Sequence, residues 1–148
     1  MKKSILFAAA LFVLMSSCVM AQTVVAPWGM TNANVGGSDL NQYTPGVENG
    51  IGPHNVGLLV KTWGKVTYRN TTQKFFYIDD GSGLSDGSGY TGIRVSYNNL
   101  ASGNNISAPT IGHYLTVTGI SSVITINGKI RPNLLPRDQS DIISYGAQ

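Results

Sequence analysis

Lys61, Trp63 and Lys65 alternate along one segment of the chain, Phe75 and Tyr77 alternate along the next, and Arg94 lies in a third. In an extended chain, side chains two residues apart share a face. Each set therefore projects from one side of its strand. Aromatic rings offer planes on which bases or sugar rings stack, at ~1–3 kcal/mol per base, and interleaved cations track a phosphate backbone. This is recognition by contact, with no bond made or broken. The six residues form the candidate ligand-binding set. The same pattern admits a second reading, in which Trp63, Phe75 and Tyr77 pack under residues 22–56 and the lysines are a solvated rim. A register shift of one residue would exchange the two faces entirely.

The remaining reactive side chains give no catalytic or metal set. Asp79, Asp80 and Asp86 sit in a Gly/Ser-rich stretch. Hard cations such as Ca²⁺ need several carboxylate and carbonyl oxygens, but the spacing fits no EF-hand pattern. Asp80 is better placed to cap the turn by accepting from backbone N–H groups. His54 and His113 are far apart in sequence and stand in no ligand motif. Glu48 is alone in the N-terminal part, and no cluster of acids with arginine suggests a nuclease. There is no G-x-S-x-G elbow, and Thr71-Thr72 and Ser121-Ser122 have no evident base. The expectation is a non-catalytic protein without cofactor.

The elements that must hold the six residues are strands. No long 3.6-residue apolar period exists beyond the first residues, and helix formers are sparse. A first strand is expected over Leu58–Arg69, with Val60, Thr62, Gly64, Val66 and Tyr68 inward. Gly64 in mid-strand calls for a sharp bend or a close backbone approach. A second strand spans Lys74–Asp79, with Phe76 and Ile78 inward and Phe75 and Tyr77 outward. A third spans Gly92–Tyr97, with Arg94 and Ser96 outward. Residues 98–112 are too rich in Gly and Asn for a helix. A fourth strand starts at His113, bends at Gly119 and continues toward Ile126. Asn127-Gly128 is a two-residue hairpin signal, because both positions favour positive φ. A last strand pair is expected around Pro132–Leu135 and Asp141–Tyr145. Residues 22–56 form a loop-rich extension. They are either pinned to the sheet by Trp28, Leu40, Tyr43 and Ile51 or a linker-like remnant.

The first residues read as an export signal, 1–21. Lys2 and Lys3 precede an apolar run from Ile5 to Met15, and Val19-Met20-Ala21 places small or β-branched residues where a signal peptidase reads. The run is short for a bilayer span. Cys18 is the only cysteine. It is either discarded with the signal, leaving no thiol for disulfides or metal, or lipidated at a lipobox-like Met15-Ser16-Ser17-Cys18. The protein is expected to be secreted, periplasmic or at the cell surface. Removing Lys2 and Lys3 from the ten basic residues leaves eight against seven acidic ones. That bias is weaker than many phosphate contacts to duplex DNA would need.

Val60-Lys61-Thr62-Trp63-Gly64-Lys65-Val66 resembles the apolar-x-apolar-x-Gly-x-Val first strand of OB-fold domains, in their nucleic-acid-binding, anticodon-binding-like branch, with Thr62 departing from the apolar pattern. Phe75 to Gly83 resembles the Phe-x-x-Leu-x-Asp-x-x-Gly second strand, and Val117-Thr118-Gly119 the fourth. The chain is also similar to secreted bacterial proteins that carry one OB-like domain. The resemblance covers about residues 57–145. It implies an all-β fold, a five-stranded OB-like Greek-key barrel over 57–148. It also implies binding on the face of strands two and three. Single-stranded nucleic acid is the leading ligand. An oligosaccharide, or a structural or surface-assembly role through a protein partner, is the alternative. The short Asn127-Gly128 turn and the missing helix in 98–112 depart from the family pattern.

Overall fold

The structure is a computed structural model that describes residues 25–147. The expected export signal, its expected cleavage point and Cys18 lie outside the described residues. The described chain is nearly all β. Seven strands form one sheet: β1 (Trp28–Gly29), β2 (Leu59–Asn70), β3 (Phe75–Asp79), β4 (Ile93–Ser96), β5 (Tyr114–Ile126), β6 (Lys129–Leu135) and β7 (Ile142–Ser144). Two single 3-10 turns, Asn32–Asn34 and Gln139–Asp141, complete the regular structure. The strand order is β1-β2-β3-β4-β6-β5-β7, and β2 also pairs with β5. That extra ladder turns the five strands β2-β3-β4-β6-β5 into a ring. All neighbours in the ring are antiparallel except β4 and β6.

Alternation along the strands fills the inside of the ring. Val60, Val66, Phe76, Ile78, Ile93, Val95, Leu115, Val117 and Leu134 point inward and are buried. Each such side chain contributes ~1.5–3 kcal/mol by leaving water. Gly64 answers the close approach expected of it. A Cβ there would meet the Asp79 backbone at 2.7 Å. At that point β2 stops pairing with β5 and starts pairing with β3. Asn127 (φ 52°) and Gly128 (φ 75°) make the tight β5–β6 hairpin.

Two expectations are corrected. The register of β2 against β3 slips between Val66 and Tyr68. This β-bulge adds one residue, so Tyr68 lies opposite Tyr77 on the outer face and not inward. The last two strands also do not pair with each other. Both lie against β5, β6 along Ile120–Ile126 and β7 along Leu115–Val117.

Residues 25–56 are folded against the ring, but not by the side chains expected to pin them. Trp28, Leu40, Tyr43 and Ile51 are all exposed. The anchors are two buried asparagines and two valines, Val35 and Val47. Asn32 Nδ2 donates to the Ile78 carbonyl at 2.9 Å, and Asn32 Oδ1 accepts from Thr62 Oγ1 at 2.7 Å. Thr62 departs from the apolar pattern because its hydroxyl is committed to this bond. Asn55 Oδ1 accepts from the Gly36 N–H at 2.8 Å and from Ser121 Oγ at 2.7 Å. Asn55 Nδ2 donates to the Asn34 carbonyl at 2.6 Å. A buried polar group left without its partner costs ~1–3 kcal/mol. Asn32→Ala strands Thr62 Oγ1 and the Ile78 carbonyl together, so it should destabilise by about 2–4 kcal/mol. Urea unfolding should show a lower midpoint with unchanged slope. A loss under about 0.5 kcal/mol would mean that the 25–56 segment does not depend on this contact.

Candidate ligand-binding face

The ring divides the six candidate residues between two outer panels. On the first panel, β3 and β4 carry Phe75, Tyr77 and Arg94. The two rings are not open to a ligand, which corrects the expectation of an exposed stacking surface, whereas Arg94 is half-buried. Phe75 is 4% exposed and Tyr77 0%. Among the described residues the cover is not the 25–56 segment but two further tyrosines. The β2 bulge brings Tyr68 over Phe75 and Tyr77, at 5.9 and 6.5 Å between ring centroids. Tyr90, from the Gly-rich β3–β4 connection, stacks on Tyr68 at 3.6 Å and 13°. Arg94 lies over Phe75, its guanidinium carbon 3.5 Å from the ring centroid, and its Nε donates to Ser96 Oγ.

Tyr77 is also fixed at its hydroxyl, which donates to Asp86 Oδ2 at 2.6 Å. Burial, then the bond to the Asp86 carboxylate, push the phenol from 10.0 up to about 12. The carboxylates of the same connection serve the backbone. Asp80 accepts from the Ser82 and Asn32 N–H groups, Asp79 from Gly83, and Asp86 from Ser88. Burial alone would raise the Asp80 carboxyl, yet the donors Ser82 and Asn32 outweigh it and hold it below its ordinary value. The turn-capping role expected of Asp80 is thus what its bonds perform.

The second panel is the outer face of β2, β5 and β7, and it is open. Register places its side chains in three rows. Lys61 lies opposite Thr118, Trp63 opposite Thr116, and Lys65 opposite Tyr114. Beyond β5, Thr116 lies opposite Ile143. Tyr145 follows alongside, with its N–H on the Tyr114 carbonyl and its hydroxyl accepting from Thr116 Oγ1 at 3.2 Å. Trp63 is 48% exposed, and Tyr114, Ile143 and Tyr145 are exposed too. Strand spacing makes this panel about 10 Å across β2–β5–β7 and about 14 Å from Lys61 to Lys65. Neither lysine forms an ion pair among the described residues, whereas Lys129 is tied to Glu48 and Arg137 to Asp141. The one carboxylate at its margin, Asp79 opposite Lys65, accepts from Gly83.

No family model, curated protein or solved structure matches this chain.

Lys61, Trp63 and Lys65 share this outer face as alternation expected, while Tyr114, Ile143 and Tyr145 were not among the expected residues. Alternation in 114–118 does put Tyr114, Thr116 and Thr118 on one face. What it does not carry is which strand lies beside β2. Tyr68 and Tyr90 were missed as covers because a bulge and a long loop place them.

The Tyr77 shift has a definite sign. The folded state holds the proton more tightly than the unfolded chain. The stability tied to the neutral phenol is therefore complete below pH 10 and is lost as pH rises toward 12. Tyr77→Phe should shrink that alkaline loss, measured by urea melts on either side of pH 10. It should not abolish it, because burial also raises Tyr97. An unchanged alkaline slope would contradict the burial and bonding of this hydroxyl.

Proposed function

We propose that the protein is an exported, non-catalytic binding module of OB-like architecture. Its ligand is a single-stranded nucleic acid laid across the β2–β5–β7 panel. The observation that carries this reading is Trp63, exposed between two lysines without ion pairs and flanked by the Tyr114 and Tyr145 rings. Bases stack on Trp63 and the tyrosines, while Lys61 and Lys65 meet phosphates. A panel with two cations suits a flexible single strand better than a duplex.

The OB-like reading draws support from topology. The ring order β2-β3-β4-β6-β5, with antiparallel closure of β2 on β5 and a parallel β4–β6 ladder, agrees with a five-stranded Greek-key barrel. The non-catalytic reading draws support from the carboxylates. All seven acidic side chains already accept hydrogen bonds from backbone or side-chain donors: Asp39, Glu48, Asp79, Asp80, Asp86, Asp138 and Asp141. The donors lie in turns and caps, in the Tyr77 hydroxyl, and in the ion pairs of Lys129 and Arg137.

A glycan is the second reading for this panel. The rings would stack on sugar faces, and Thr116 and Thr118 would supply hydroxyls. Salt separates the two. The chain has two tryptophans, and both are exposed. Trp28→Phe isolates the Trp63 signal. Titrating that variant with mixed-sequence single-stranded oligonucleotide should quench its fluorescence. Affinity should fall with salt at a log–log slope of roughly −1.4, as for two neutralised phosphates. Trp63→Ala should weaken binding by ~1–3 kcal/mol and leave stability nearly unchanged. Absence of quenching at high micromolar oligonucleotide would sink the nucleic-acid reading. Salt-independent quenching by oligosaccharides would replace it with the glycan reading. Concentration-dependent self-association lost in Trp63→Ala would replace both with an assembly role.

A further inference from the structure

Tyr68 and Tyr90 lie face to face. Their ring centroids are 3.6 Å apart and their planes 13° from parallel. Aromatic pairs favour offset or edge-on arrangements at about 4.5–7 Å, so ring electrostatics alone does not explain this stack. Among the described residues it is the one tyrosine pair so arranged. Tyr77, the third phenol of the group, meets Tyr68 at 61° and Tyr90 at 48°.

The chain on either side clamps the pair. Thr67, next to Tyr68, donates its Oγ1 hydrogen to the carbonyl of Thr91, next to Tyr90, at 2.6 Å. Thr91 also bridges to Ser85, and the Gly92 N–H donates to the Leu84 carbonyl at 2.7 Å. Hydrogen bonding with the Tyr68 phenol, then burial, holds the Tyr90 hydroxyl above its ordinary value. Hydroxyls that meet while their rings overlie point the two rings the same way. Each Cε, ortho to its oxygen, then lies over a Cε of the other ring. Both rings are half-buried, so their outer sides meet solvent, whereas Tyr77 is fully buried.

This arrangement suits the joining of two phenoxyl radicals. A one-electron oxidant takes an electron and the hydroxyl proton from each tyrosine, and the unpaired electron spreads to the Cε atoms. A bond from a Cε of Tyr68 to a Cε of Tyr90 forms perpendicular to both rings. A face-to-face stack presents that direction and an edge-on pair does not. Each joined carbon then sheds its hydrogen as a proton, the phenol oxygens take protons back, and both rings are aromatic again. One hydrogen peroxide accepts the two electrons and two protons and leaves as two waters. Gly89 (φ 91°), with open space where a Cβ would lie, lets Tyr90 follow as the contact shortens to a bond.

We propose that Tyr68 and Tyr90 are a modification site, joined through Cε into an intramolecular dityrosine by a peroxidase-type oxidant with hydrogen peroxide. The bond ties the Gly-rich β3–β4 connection to β2. The chain has a single cysteine, so no disulfide within one molecule can serve instead. The proposal does not rest on what the Trp63 panel binds.

The test treats the purified protein with a peroxidase and limiting hydrogen peroxide. The monomer should lose two hydrogens in mass and gain dityrosine fluorescence, with a yield that does not change on dilution. A tryptic map should join Val66–Arg69 to Phe75–Arg94, with the bond at Tyr90 and not at Tyr77. A cross-link restricts the unfolded chain, so the joined monomer should unfold at higher urea than the untreated protein. Tyr90→Phe keeps the ring but forms no phenoxyl radical, and should lose the joined monomer. Tyr43→Phe removes the most exposed tyrosine and should keep it. Mapping of the unaltered protein decides the matter even if a variant folds poorly. Oxidation that leaves no dityrosine in the monomer, or places it only in concentration-dependent dimers, would overturn the proposal. So would a monomer joined at another tyrosine pair, or an undiminished yield in Tyr90→Phe.

Discussion

Twelve residues of β2 pair with two neighbours in succession, and the change-over at Gly64 and Lys65 is the constraint on which the remaining architecture depends. One strand can border both β5 and β3 only if it turns sharply while keeping its ladders. The Asp79 backbone crosses where any Cβ at position 64 would lie. With that crossing made, the sheet closes on itself, and inward and outward faces become distinct. The apolar residues of β2 to β6 then share one interior. Everything proposed for recognition lies on the outside of the same closure.

Closure leaves an end of the ring to be covered, and the chain covers it with residues 25–56. The cover is held by hydrogen bonds more than by apolar side chains. Asn32 reaches the Ile78 carbonyl and the Thr62 hydroxyl, while Asn55 gathers Gly36, Asn34 and Ser121. Such bonds are directional. They fix one placement of a loop that has few apolar side chains to bury.

The two outer panels differ because of one inserted residue. Without the bulge between Val66 and Tyr68, Tyr68 would face inward and Phe75 and Tyr77 would lack one of their covers. With it, four aromatic rings and Arg94 pack on the outside of β3 and β4. They form a small satellite core. The open outer surface is left to β2, β5 and β7, where Trp63 has no such cover.

Local pattern determined much of this protein. Period-two alternation assigned the inward residues of β2 as far as Val66, and those of β3 and β4. Glycine in mid-strand marked the crossing, and Asn127-Gly128 marked the hairpin. These are legible because side-chain direction in a strand and φ in a tight turn depend on adjacent residues alone. Tertiary structure decided what depends on residues far apart in sequence. It set the slip of register at the bulge, the partner of each late strand and the asparagine anchors of 25–56. It also separated Phe75, Tyr77 and Arg94 from Lys61, Trp63 and Lys65. A strand's sequence states which side chains share a face, but its neighbour is chosen by closure of the whole ring. That choice put Tyr114, Ile143 and Tyr145 beside Trp63.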